Sequence, residues 1–393
     1  MKKIMLGVAF AFCISALASC NKKVTKESRT ELYKVAMITD YGNIDDQSFN
    51  QATYEGCRNW CTENEVEFKY KKPLTNSSNG RTSAVKQAIN EGYNIIVMPG
   101  YAFAPTIDEV AYKNPNVKFI ALDVGLGDLL SAHYETYNDD VNDPQWSAYT
   151  LPNNLYCANY QEEIAGYMAG YAAVKEGYTS LGFLGGMEIP SVMRYGYGYI
   201  QGIDSAAKED NINVNIKYGY AETFNPSESV HNLAKSWYED GVEVIFSCGG
   251  AIYLSICDAA TDEGINGKII GVDVDQSKVI KKNYGDICIT SATKGLGPTV
   301  YDTLERVIKG RNWECKIDSL GLISGTDVEK NYVQLPVSTW SLKKFTVSAY
   351  KSLVSKMFSK TIKVSNDLSN VPSVGEKTTL DVLSKIGRSI IAY

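Results

Sequence analysis

Histidine is nearly missing from this chain: His133 and His231 are the two in 393 residues. That scarcity leaves a Ser/His or Cys/His nucleophilic pair little to draw on. Neither histidine is accompanied by a CxxC, which argues against a zinc site. Also absent are the GxxxxGK[ST] phosphate loop, the GxSxG elbow and the HExxH helix. Gly196 to Gly202, GYGYIQG, misses GxGxxG because its third glycine is one residue late. It lies inside a helical stretch and reads as a surface for close helix packing. Basic residues form no stripe, and a net charge of −6 argues against nucleic acid as a partner. Low-complexity tracts are absent. The leading apolar run, Ile4 to about Leu17, is shorter than the roughly 20 residues of a spanning helix.

What is present is an ordinary balance of 44% hydrophobic and 21% charged residues, in a chain long enough for two cores. Lys2 and Lys3 precede the leading apolar run, and small residues follow it, so residues 1–20 have the layout of a secretory signal. Leu17-Ala18-Ser19-Cys20 resembles a bacterial lipobox, which makes Cys20 the acylated first residue of a mature chain. Residues 21–31, polar and without apolar periodicity, read as a flexible tether. With Cys13 in the signal and Cys20 lipidated, seven of the nine cysteines remain, so at least one thiol stays unpaired. Tyrosine is abundant, 27 against 11 Phe and 5 Trp; most of that excess is bias, and individual positions matter more than the count.

The chain is organised around Val35 to Trp60. Val35 to Thr39 is an apolar, β-branched run, followed by a loop crowded with Asp40, Gly42, Asn43, Asp45 and Asp46. From Ser48, apolar or small residues at Phe49, Ala52, Gly56, Cys57 and Trp60 mark one helix face, with Ser48 or Asp46 placed to cap it. In an open parallel sheet such a strand–loop–helix unit puts its loop at the carboxyl edge, where ligands bind. On spacing alone the acids merely cap the helix. Further βα units follow, ending in Asn94 to Gly100 and Lys118 to Asp123. Val124 to Asn154 interrupts them, rich in Asp, Asn and Gly, and reads as a surface excursion plus a crossing to a second lobe. The βα rhythm restarts at Leu155 and runs to Asp273. The expected division is therefore 32–154 with about 292–324 in one lobe, and 155–291 with about 325–393 in the other.

A flat ligand with a polar edge needs aromatic faces, carboxylates to accept from its N–H and O–H groups, and a donor for its acceptors. Those types occur at strand ends and helix starts in both halves. Here the sequence resembles a known family. SFNQATYEG, GYNIIVMPGYAF, PNVKFIALD, QEEIAGYMAGYAA, MRYGYGYIQG, VEVIFSCGG, KIIGVDVDQ and TSATKG stand in the order and approximate spacing of the basic membrane protein family, nucleoside-binding lipoproteins of bacterial ABC importers. The resemblance implies an α/β, type I periplasmic-binding fold, with two doubly wound Rossmann-like lobes joined by a three-segment hinge. It implies Phe49 stacking on one face of a purine base and Tyr199, at a position usually Phe, on the other. By the same resemblance Asp40 and Asp123 bind the base, Asp273 the ribose hydroxyls, Lys294 sugar or base, and Gly249 or Gly250 brings backbone close to the ribose. It further implies a monomer at the outer face of the cell membrane that hands its ligand to a membrane permease. Catalysis is not expected, and no cofactor or metal is implied. Two other classes stay open: a sensory or surface lipoprotein for another small ligand such as a sugar or autoinducer, and a nucleoside hydrolase, for which Asp45 and Asp46 are the acids available.

Overall fold

The computed structural model describes residues 32–310 and 313–383, whose strands form two separate sheets. The first half of the chain gives β1 Lys34–Ile38, α1 Phe49–Glu63, β2 Glu67–Lys71, α2 Ser78–Asn90, β3 Ile95–Pro99, α3 Ala104–Val110, β4 Lys118–Leu122, α4 Leu126–His133, α5 Pro144–Ala148 and β5 Leu155–Tyr160. The second half begins with α6 Glu162–Glu176, β6 Ser180–Gly185, α7 Pro190–Asp210, β7 Val214–Tyr220, α8 Glu228–Glu239 and β8 Val244–Cys248. It continues through α9 Tyr253–Ala260, β9 Lys268–Asp273, α10 Ser277–Tyr284 and β10 Cys288–Lys294. Last come α11 Leu296–Ile308, β11 Lys316–Leu320, β12 Val333–Gln334, α12 Val347–Phe358 and β13 Thr378–Val382.

The first sheet has the order β2-β1-β3-β4-β5-β11 and the second β13-β7-β6-β8-β9-β10-β12. All described pairings are parallel except β10 with β12. Parallel strands covered on both faces should be apolar throughout, and β3 and β8 are buried along their whole length. Alternation then sorts each strand between two cores. Val35, Met37, Ile95 and Val97 meet Trp60 of α1 and Val300 of α11 on one face, while Ala36, Ile38, Ile96 and Met98 meet Val85 of α2 and Ile107 of α3 on the other.

The strand Leu155–Tyr160, expected to open the second lobe, belongs to the first sheet. It pairs with β4, Phe119 opposite Leu155, and with β11 on its other side. The excursion after Val124 therefore does not cross; α4 and α5 stay on the first lobe, and the chain crosses only after Tyr160. The strand that contains residues 292–294, expected in the first lobe, is β10 of the second sheet. Three crossings result, after Tyr160, Lys294 and Leu320, and they run side by side. The Gln161 amide donates to the Leu320 carbonyl at 2.9 Å, and the Gly295 amide to Tyr332 at 2.7 Å. The carboxyl ends of both sheets thus face each other across a narrow three-stranded waist.

Candidate functional site

Asp46, not Ser48, caps α1: its carboxylate accepts from the amides of Ser48, Asn50 and Gln51 at 2.9–3.0 Å. Burial pushes Asp46 up to about 6 despite those bonds. Freed from capping, the Ser48 hydroxyl donates across the cleft to Asp273 at 2.6 Å. Beside it, Gln276 donates its side-chain amide to the Gln47 carbonyl at 3.0 Å.

Lys294, the last residue of β10, stands at the centre. Its ammonium lies 2.5 Å from Asp123 of the first lobe, 3.3 Å from Glu162 at the first crossing and 3.6 Å from Asp273 of the second lobe. Its side chain is 3% exposed. Burial alone would lower the ammonium, but Asp123, Asp273 and Glu162 outweigh it and hold Lys294 above the usual lysine range. Burial likewise raises Asp123 against the pull of Lys294. Glu162 is fully buried at the start of α6 and takes a second cation, Arg194 Nε, at 2.6 Å. Breaking such a buried pair by removing one partner costs about 3–5 kcal/mol, so these groups are mutually dependent.

Asp123 comes just after β4 and Asp273 is the last residue of β9, comparable positions in the two lobes, and both are left-handed, with φ of 55° and 65°. Asp tolerates that region better than most side chains, yet it still costs of order 1 kcal/mol or more at each position. The strained turns aim two carboxylates at one ammonium. Three aromatic rings also look onto it: Phe49 at 4.8 Å, Tyr160 at 5.5 Å and Tyr195 at 5.7 Å from ring centre to Nζ.

Of the residues singled out in the sequence, Phe49, Asp123, Asp273 and Lys294 meet here. Asp40 lies two residues past β1, where its carboxylate accepts from the Tyr41 and Gly42 amides at 2.7 and 2.8 Å and lies against Gly100. Gly249 and Gly250 follow β8 with φ of 156° and 50° and pack on Phe224 and Gly186. Tyr199 is not in the site. It is fully buried in the core of the second lobe, its ring 5.3 Å from Phe246 and 6.2 Å from Phe183 and against Gly170. Tyr195, one turn earlier on α7, is the tyrosine of that helix whose ring faces Lys294. Ser48, Tyr160, Glu162, Arg194 and Tyr195 were not singled out, although QEEIAGY and MRYGYGY contain three of them. Cys20 lies outside the described residues. Among the described residues no group of His, Cys, Asp and Glu is arranged to hold a metal, and no helix is long and apolar enough to cross a membrane.

Two parallel-sheet lobes on a three-segment waist, with polar and aromatic groups from both converging between them, define a cleft-type small-molecule binding protein. Comparison places it more closely. The family model of the PnrA-like substrate-binding proteins of ABC transporters matches residues 33–368, and the chain belongs to that family. The family consists of binding proteins rather than enzymes. Basic membrane protein A2 of Borrelia garinii is 30% identical over 315 residues, covering 80% of this chain and 83% of the relative. A Lactococcus lactis protein named ABC transporter nucleoside-binding protein BmpA is 26% identical over 331 residues, covering 79% and 86%. Solved structures share the fold. A solute-binding protein of an Aeropyrum pernix ABC system superposes with a TM-score of 0.64 at 19% identity, covering 84% of this chain and 87% of that one. One from Conexibacter woesei does so with 0.62 at 20%, covering 85% and 99%.

Proposed function

We propose that this ABC substrate-binding protein takes a nucleoside, of the purine class, in the cleft between its lobes and delivers it to a membrane permease. The carrying observation is the convergence on Lys294 of carboxylates and aromatic rings from both lobes. Phe49 and Tyr195 offer faces to a flat base, while Asp123, Asp273 and Asp40 accept from its N–H groups and from sugar hydroxyls. Asp123, Asp273 and Glu162 outnumber Lys294 and Arg194 in this group, so a phosphorylated ligand would be repelled. That favours the nucleoside over the nucleotide. The nucleoside-binding name of the Lactococcus relative supports the same class. A ligand that bridges the lobes stabilises their closed arrangement, which is the form a permease would recognise. Acylated Cys20 would hold the protein, as a monomer, at the outer face of the cell membrane.

Thermal melting of the chain from Asn21 onward against nucleosides, free bases, riboses and sugars tests the reading. A ligand at a hundredfold excess over Kd stabilises the folded state by about 2.7 kcal/mol. Guanosine, inosine or adenosine should raise Tm in the wild type and fail to do so in Phe49→Ala and Asp273→Ala. A shift with a sugar alone, or with nothing in the panel, would sink the nucleoside assignment.

A further inference from the structure

Two tyrosines on α7 are equally hidden and equally unsatisfied: Tyr195 is 1% exposed, Tyr199 is 0%, and neither hydroxyl has a hydrogen-bond partner. Their settings differ. Tyr199 is packed among Phe183, Phe246 and the α6 glycines, where apolar contact accounts for its burial. Tyr195 shares the contact with Phe246, at 5.8 Å, but it also stands within the electrostatic reach of Asp273, Glu162 and Asp123, with Lys294 over its ring. Asp123 also keeps one carboxylate oxygen, Oδ1, buried and unpartnered. A buried hydroxyl without a partner destabilises the fold, and that cost is removed by a ligand that supplies the missing acceptor. The neighbouring donors are already committed, Lys294 to Asp123 and Glu162 and Arg194 to Glu162.

Resting on the nucleoside reading above, we infer that the Tyr195 hydroxyl selects the ligand, donating a hydrogen bond to an acceptor atom of the bound nucleoside in addition to presenting its ring. Phenylalanine at this position would keep the stacking face and lose the selection. The test is calorimetric titration of wild type, Tyr195→Phe and Tyr199→Phe with inosine, guanosine and adenosine. The inference predicts that Tyr195→Phe melts no lower than wild type in the absence of ligand, yet binds the preferred nucleoside about tenfold more weakly. Tyr199→Phe should bind as wild type does. Unchanged affinity in Tyr195→Phe, or an equal loss in Tyr199→Phe, overturns the inference while the nucleoside reading stands. Wild type that binds no nucleoside sinks both.

Discussion

Glu163 sits next to the Lys294 group without joining it. It is 5% exposed and its Oε2 has no hydrogen-bond partner. Burial, helped by Glu162 and opposed by Arg194, pushes its carboxyl up to about 7. Between its unfolded value near 4.5 and about 7, the folded chain holds a proton that the unfolded chain releases. Stability therefore falls as pH rises through that window, and the penalty is complete above it. A shift of this size is worth at most about 3 kcal/mol. Urea unfolding from pH 4.5 to 8 should show a steeper decline in the wild type than in Glu163→Gln, and parallel curves would contradict the assignment. Asp123 was legible at this scale because a polar residue that ends an apolar run falls at the carboxyl edge of a sheet, while Asp273 and Lys294 were named through the family resemblance. Ser48 was not, since a serine ahead of a helix reads as a cap, and only the lobe opposite reveals that Asp46 caps while Ser48 reaches Asp273.

Among the elements, α6 and α7 determine where Glu162, Arg194 and Tyr195 lie. Their backbones touch through glycines: a Cβ on Gly166 would stand 2.0 Å from the Tyr195 carbonyl oxygen, one on Gly198 2.0 Å from that of Glu163, and one on Gly202 2.1 Å from that of Tyr167. Gly198 and Gly202 of GYGYIQG thus serve the helix packing that their place in a helical stretch indicates, whereas Gly196 lies against the Tyr218 hydroxyl and the Phe183 ring of the second sheet. Alanine favours a helix over glycine by about 1 kcal/mol, but here the added methyl forces the helices apart. Gly166→Ala or Gly198→Ala should lose about 1–3 kcal/mol and, by shifting Tyr195, weaken binding as well. Gly297→Ala, whose methyl would meet only the Ala52 carbonyl at 3.7 Å, should melt near wild type. Equal melting of all three variants would contradict this account. The same packing explains the choice between Tyr195 and Tyr199. They are four residues apart on one face, so sequence type cannot separate them; the close approach of α6 encloses Tyr199 and leaves Tyr195 toward the cleft.

For the whole molecule, the two-sheet plan was readable from continuous apolar runs joined by helices, and the family resemblance gave the three crossings. Where the chain first crosses was not readable. A long polar excursion before Leu155 has the composition of a connection between lobes, yet strand pairing decides the matter, and Leu155–Tyr160 fits between β4 and β11. The consequence for function is that the first crossing is short and leads directly into Glu162, so the waist and the site are covalent neighbours. Across the cleft, Lys294 with Asp123, Ser48 with Asp273, and Gln276 with Gln47 tie the lobes together. A bound nucleoside would share this space and these groups. The electron density of the chain crystallised with inosine or guanosine tests that claim most directly. The account predicts the base beside Phe49 and Tyr195, with Asp123 and Asp273 in contact with the ligand; a nucleoside bound outside the cleft, or one that leaves the Lys294 group untouched, would contradict it.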